Sequence, residues 1–172
     1  HINLLYKGHQ QLILGWPKVI EACPDARLWI VGDGSGRPVI EALVDTLEPH
    51  VRQSIELQGR IDDESLSILY EQCRVFAMPS TGEGFGLVFV EAARYGIPCI
   101  GGKYDSVREI IIDNETGLLV EQDPDEVAQA CIKLLTNDNL AERLGNAAQQ
   151  RYLQTFRFSH FRARLATALG FQ

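Results

Sequence analysis

The stretch "PSTGEGFGLVFVEA", residues 79–92, is a turn of three glycines and a carboxylate that runs directly into an apolar segment broken by a second carboxylate. It closes the strand-like "RVFAMPS", which Pro79 stops because proline cannot continue a hydrogen-bonded ladder. It opens "LVFVEAARYG", which reads as a helix ending at Gly96. Strand, glycine turn and helix in succession form the repeating unit of a parallel sheet covered on both faces. Two residues invite a further question, Glu83 in the turn and Glu91 among Val88, Phe89, Val90, Ala92 and Ala93. A solvated turn residue and an exposed helix position are their plain readings.

The same unit recurs on either side. Gln10 to Ala22 carries Leu12, Ile13, Trp16, Val19 and Ile20 on one helical stripe, and "ARLWIVGDG" is a buried strand over Arg27 to Val31 that ends in glycines. Pro38 suits a first helical position, with Val39 to Leu47 as the helix. "SIELQG" is strand-like, "DDESLSILYEQC" is a helix with an acidic start, and "IPCIGG" is the strand after Gly96. Four strand-then-helix units precede residue 102, so the expected fold is α/β with a doubly wound parallel sheet. Beyond it lie a short strand, "TGLLV", and a helix, "DPDEVAQACIKLL", with Asp123 as cap, Pro124 first and Glu126 placed to close a capping box. Two further helices follow, about Leu140 to Leu153 and Ser159 to Leu169.

A chain of 172 residues fits one domain, and 45% hydrophobic with 23% charged residues is an ordinary globular balance. The net charge of -7, with sixteen scattered Lys and Arg, argues against nucleic acid as a partner. Cys23, Cys73, Cys99 and Cys131 lack the paired spacings of metal or redox sites and read as reduced residues of a cytoplasmic protein. Membrane association of a longer protein is left open. The chain opens on His1, with neither strand alternation nor a helical stripe before Gly8, and reads as a piece of a longer protein.

In open parallel sheets, ligands sit outside the carboxyl ends of the strands. Two such ends are rich in glycine. In "VGDGSGR", Gly32 and Gly34 begin a dinucleotide fingerprint, but arginine stands at position 37 where the third glycine is needed. A redox cofactor is therefore disfavoured, and a simple tight turn remains open. In "STGEGFGLVFVEA" a helix starting near Gly86 would direct the free amides of Gly86, Leu87 and Val88 at the same crevice, a favourable place for an anion. Glu83 and Glu91 can then face one bound molecule from different ends, and carboxylates accept paired hydroxyls well. A polyhydroxy ligand and a solvated Glu91 both remain open. His9, His50 and His160 lack partners at ligand spacing, Ser80 lacks a hydrolase elbow, and Asp62 with Asp63 is better read as a helix start than as a metal site.

In sequence, "KGH" (residues 7–9), "LWIVGDG" (28–34), "LQGRI" (57–61), "MPS" (78–80), the Glu83 and Glu91 pair around Gly84-Phe85-Gly86, "GIP" (96–98) and "TGLLV" (116–120) form an ordered set. The set resembles the donor-binding, C-terminal half of the retaining glycosyltransferases of GT-B fold, the group 1 type. The resemblance covers nearly the whole chain. It implies a Rossmann-like domain over residues 1–172 with additional C-terminal helices, and an acceptor-binding N-terminal domain that this chain does not contain.

Carried over by position, the resemblance implies that Glu91 holds the ribose hydroxyls of a nucleotide-diphosphate sugar and that Glu83 meets the hexosyl group. Lys7 would meet the diphosphate, with Phe85, Gly86 and Leu87 near sugar and phosphate and the Gly32 and Gly34 turn in the same crevice. Arg60 and Ile61 match the place where the base packs, and Ser80 lies among the contacts that select the donor. The implied reaction is retaining transfer to an acceptor hydroxyl on a glycan, lipid or small molecule. It needs no metal and no cofactor beyond the donor, and the chain by itself is expected to be inactive. The family's arginine partner of the lysine lies upstream of this chain, and "GGKYDSVRE" with Glu109 is atypical. A nucleotide-sugar epimerase or phosphorylase half, and a nucleotide-binding module without chemistry, are the alternatives.

Overall fold

The computed structural model describes residues 6–104 and 106–169, apart from the side chains of residues 161, 163 and 164. The chain runs α1 (His9–Ala22), β1 (Leu28–Val31), α2 (Arg37–Asp45), α3 (Pro49–Arg52), β2 (Ile55–Gly59), α4 (Asp63–Gln72), β3 (Phe76–Met78) and α5 (Leu87–Arg94). It continues through β4 (Cys99–Gly102), α6 (Val107–Ile110), β5 (Gly117–Val120), α7 (Pro124–Leu135), α8 (Asp138–Arg151), a π-helical segment (Tyr152–Phe156) and α9 (Phe158–Ala168).

The strand pairs are all parallel, in two hydrogen-bonded groups, β1-β2 and β3-β4-β5. Side chains alternate across a strand, and the core follows that alternation. Ala77, Ile100, Leu118 and Val120 belong to one apolar cluster with Ile13, Trp16 and Val19 of α1 and with Val127 and Leu134 of α7. Their neighbours Phe76, Met78, Cys99 and Leu119 belong to a second cluster with Tyr70 of α4 and Phe89 of α5. Each face of β3-β4-β5 is thus covered by its own helices, as a doubly wound fold requires. β4, buried at all four positions, is the central strand.

The structure departs from the sequence reading in three places. Glu126 does not close a capping box. Asp123 Oδ1 accepts from the amides of Asp125 and Glu126 (both 3.0 Å), but the Glu126 carboxylate turns to the Glu121 amide (2.8 Å) and to Lys103 Nζ (3.3 Å). The free N–H at the end of β5 and a nearby cation outcompete the cap's own amide. α3 and α6, four residues each, are too short to imprint a hydrophobic stripe. The penultimate helix starts earlier, at Asp138, because Asn137 Oδ1 caps the Leu140 amide (3.0 Å), and it gives way to the π-helical segment at Tyr152. Asp62 does start its helix, accepting from the Ser65 amide at 2.7 Å. The four cysteines are free thiols.

α1 is tied to the α3–β2 connection by a polar chain inside the core. Trp16 Nε1 donates to Ser54 Oγ (2.8 Å), which donates to the Val51 carbonyl (2.6 Å), and Trp16 and Ser54 are both buried. Ser54→Ala leaves the indole N–H buried without its partner, so stability should fall by about 1–3 kcal/mol. Urea denaturation should read this as a lower midpoint at unchanged slope. At the start of the same helix, burial first, and then positive charge that includes Lys7, pulls the His9 imidazole down to about 4. The unfolded chain takes up that proton near 6.5, whereas the folded chain resists until about pH 4. Stability should therefore decline as pH falls from about 6.5 toward 4 and be insensitive to this group above that window. Denaturation midpoints across pH 4–8 should lose part of that slope in His9→Gln; an identical slope in the variant excludes His9 as the source.

Candidate functional site

Within each hydrogen-bonded group the strands are parallel, so β1 with β2, and β3 with β4, release their loops on a common side, and each exit holds small residues. Gly32 after β1 adopts φ 123° and donates its amide to the Gly59 carbonyl at the end of β2 (2.7 Å). Asp33 Oδ1 accepts from the Gly34 amide (2.8 Å), and the Gly34 carbonyl accepts from Arg37 (3.0 Å), so this turn leads into α2. Arg37 pairs with Glu41 at 2.7 Å, and its Nη1 lies 3.0 Å from where a β-carbon on Gly59 would stand. An arginine is thus laid across the mouth where a dinucleotide fingerprint would have its third glycine. Arg60, exposed, and Ile61, half-buried, bridge β2 to the Asp62 cap.

Lys7 is carried by a turn that crosses the end of β3. The Thr81 amide donates to the Tyr6 carbonyl (2.8 Å), and Gln122 Nε2 donates to both the Tyr6 and the Pro79 carbonyls (3.1 and 3.0 Å). Gly8 completes the crossing. Its φ of 79° is left-handed, and a β-carbon there would meet the Pro79 carbonyl and stand 2.7 Å from Pro79 Cγ. Only glycine fits such a position without strain. Lys7 Nζ then forms a direct ion pair with Glu83 Oε1, both side chains largely covered at 17% and 9% exposure. The Glu83 backbone carbonyl accepts from Ser106 Oγ (2.8 Å), which fastens the turn to the "GGKYDSVRE" loop.

Ser80 is buried, and its Oγ has no hydrogen-bond partner among the described residues. Gly86, at φ 84°, caps α5, and the Phe89 amide is the first bonded back, to the Gly86 carbonyl (3.0 Å). The amides of Gly86, Leu87 and Val88 therefore precede the helix ladder. Phe85 and Leu87 are exposed, the Phe85 ring standing edge-on to Phe156 with centroids 6.3 Å apart. Glu91 lies one turn further along α5, exposed, with Oε2 accepting from Tyr70 Oη at 3.2 Å.

The structure thus brings Lys7 and Glu83 into contact and joins Gly32 to the Gly59 turn that precedes Arg60, while Glu91 meets Tyr70. Sequence reasoning missed the residues that hold these groups in place: Tyr6, Tyr70, Thr81, Ser106 and Gln122. Four of them, all but Tyr70, act through backbone atoms of another segment, which no spacing rule reports. Beside the Lys7 turn, Thr81, Tyr104, Glu121, Gln122 and Asp123 line an open depression. There Tyr104 donates to Glu121, and Lys103 bridges Glu121 and Glu126 (3.6 and 3.3 Å). Hydrogen bonding to Glu126 raises Lys103, and the Glu121 amide holds Glu126 below the ordinary carboxylate range. Glu109 is exposed on α6, and only its carbonyl is engaged by Arg151 (2.6 Å). Chemically, the edge offers unpaired helix amides and a lysine for an anion, and two carboxylates for hydroxyls.

Comparison with known proteins agrees with this architecture. The phosphatidyl-myo-inositol mannosyltransferase of Mycobacterium tuberculosis is 35% identical over 155 residues, which cover 85% of this chain and 40% of the relative. The chain therefore spans less than half the length of that relative. HepE of Anabaena, solved in complex with UDP-glucose, superposes with a TM-score of 0.84 at 22% identity over 95% of this chain and 45% of its own. The C-terminal domain of a glycosyl transferase group 1 family protein from Francisella tularensis superposes with a TM-score of 0.78 at 21% identity, over 88% of this chain and 80% of its own. The fold is that of the C-terminal half of a GT-B glycosyltransferase. The family model for glycosyl transferases group 1 matches residues 4–151, a span that runs from the Lys7 turn through both glutamates to the end of α8, and this chain belongs to that family.

Proposed function

We propose that residues 1–172 form the donor domain of a retaining glycosyltransferase, binding a nucleotide-diphosphate sugar whose hexosyl group passes to an acceptor hydroxyl. The observation that carries this reading is the Lys7 and Glu83 contact at the glycine turn, set beside the open amides of α5 with Glu91 one helical turn beyond. A diphosphate suits the lysine and the amides, and hydroxyl groups suit the carboxylates at either end. The relatives named as a mannosyltransferase and as a UDP-glucose complex support the same class of donor.

On this reading, Glu91 receives the ribose hydroxyls, and Arg60 with Ile61 flanks the base. Ser80, Gly32, Gly34 and the Phe85, Gly86 and Leu87 segment line the space between. Lys7 and the amide dipoles stabilise the departing diphosphate, which requires neither a metal ion nor a cofactor beyond the donor. Glu83 orients the sugar. The acceptor site, for a glycan, lipid or small molecule, belongs to an N-terminal domain outside this sequence, so the chain by itself should not turn over.

The ion pair sharpens the test. Glu83 neutralises Lys7 in the empty site, so Glu83→Gln should keep or tighten binding of a free nucleoside diphosphate. Transfer by the full-length enzyme should nevertheless fall by at least about tenfold, since a charged hydrogen bond made in the transition state is lost. Glu91→Ala should weaken nucleotide binding with the fold intact. Titration calorimetry and turnover on both variants separate the roles: if Glu83→Gln loses nucleotide affinity as severely as Glu91→Ala, the assignment of sugar to one and ribose to the other is wrong.

A further inference from the structure

Tyr70 stands on α4, yet its hydroxyl reaches Glu91 of α5. Its ring lies in the second core cluster, stacked on Tyr95 with centroids 5.2 Å apart and an interplanar angle of 17°, and tilted against Phe76 at 6.3 Å. That packing holds the ring between Tyr95 and Phe76 and leaves the hydroxyl one described partner, Oε2 of Glu91 at 3.2 Å. Resting on the reading of Glu91 as the ribose ligand, we propose that Tyr70 is a positioning residue that sets the Glu91 carboxylate for the ribose hydroxyls.

The chemistry of the pair supports this. Glu91 is exposed, and a surface glutamate samples many rotamers that binding would have to restrict. A hydrogen bond from a rigid, buried ring removes part of that freedom before the ligand arrives. A carboxylate has about four lone-pair sites, so one bond from Tyr70 leaves capacity for two vicinal hydroxyls. The tyrosine remains a donor throughout the working range, because burial first, and the Glu91 charge second, push its ionisation upward. A purely structural account runs the other way: a buried tyrosine needs a partner for its hydroxyl, and Glu91 supplies one.

The two accounts differ in what happens to ribose selectivity. UDP and GDP, each beside its 2′-deoxy counterpart, are titrated calorimetrically into this chain and into Tyr70→Phe, Glu91→Gln and the double variant. Tyr70→Phe keeps the ring stack, so the fold is retained. Affinity for the ribonucleotide should fall about three- to tenfold, with little change for the deoxynucleotide, so that the ratio between them contracts. In the Glu91→Gln background the same change should have little further effect. A lower thermal midpoint with an unchanged ratio overturns the positioning role and leaves Tyr70 structural. If Glu91→Gln itself keeps the full ratio, the ribose assignment of Glu91 fails first, and the inference falls with it. Absence of binding by either ribonucleotide to the unchanged chain overturns both.

Discussion

The proposed crevice depends on one backbone crossing, the Tyr6–Gly8 turn laid against Pro79–Thr81. Three hydrogen bonds hold it, one from the Thr81 amide and two from a single Gln122 amide group, and the missing side chain at Gly8 lets the two segments touch. The arrangement joins parts of the chain far apart in sequence: the entrance to α1, the end of β3 and the turn before α7. A lysine at position 7 acquires a fixed location only because its backbone is bonded on one side and its helix begins on the other. Comparable close approaches recur along the edge. A β-carbon on Gly102 would collide with the Ser80 carbonyl, and one on Gly101 would stand 2.6 Å from Val107 Cγ1. Small residues at strand exits here serve proximity as much as turning.

The order and type of the elements were legible because the strands and longer helices carry their own signals. Strands "LWIV" and "CIGG" are near-continuous apolar runs, as expected where both faces are covered, and Asp62 and Asp123 cap the helices that follow them. What escaped was decided by tertiary competition. Glu126 has the spacing of a capping box, yet an orphan amide at the end of β5 and Lys103 draw it elsewhere. α3 and α6 fold as single turns between larger elements, with too few residues to show a period.

The site divides in the same way. Glycine turns and the two glutamates mark the proposed crevice in sequence, since a carboxylate beside flexible backbone and another on a helix just beyond are unusual enough to notice. The Lys7 and Glu83 pair could not be read, because the two lie 76 positions apart and meet only through the crossing. Tyr70 was invisible for a related reason. On its own helix it is simply the buried residue of α4, and its hydroxyl gains meaning only when α5 presents Glu91 opposite.

Pairing in the empty site has an electrostatic consequence. Lys7 and Glu83 are both largely withdrawn from water, and an isolated charge in such a place is strongly disfavoured. Each is tolerated because it faces the other. On the proposed reading, a nucleotide sugar would offer both a replacement at once, phosphate oxygens for the ammonium and hydroxyl donors for the carboxylate. The exchange would leave neither group bare, whereas a phosphate ligand without the sugar would take the lysine and leave Glu83 covered and without its counter-ion. Preference for a complete donor over its diphosphate product would then arise from the carboxylate's need for a partner, without requiring a stronger contact to the sugar than an ordinary hydrogen bond.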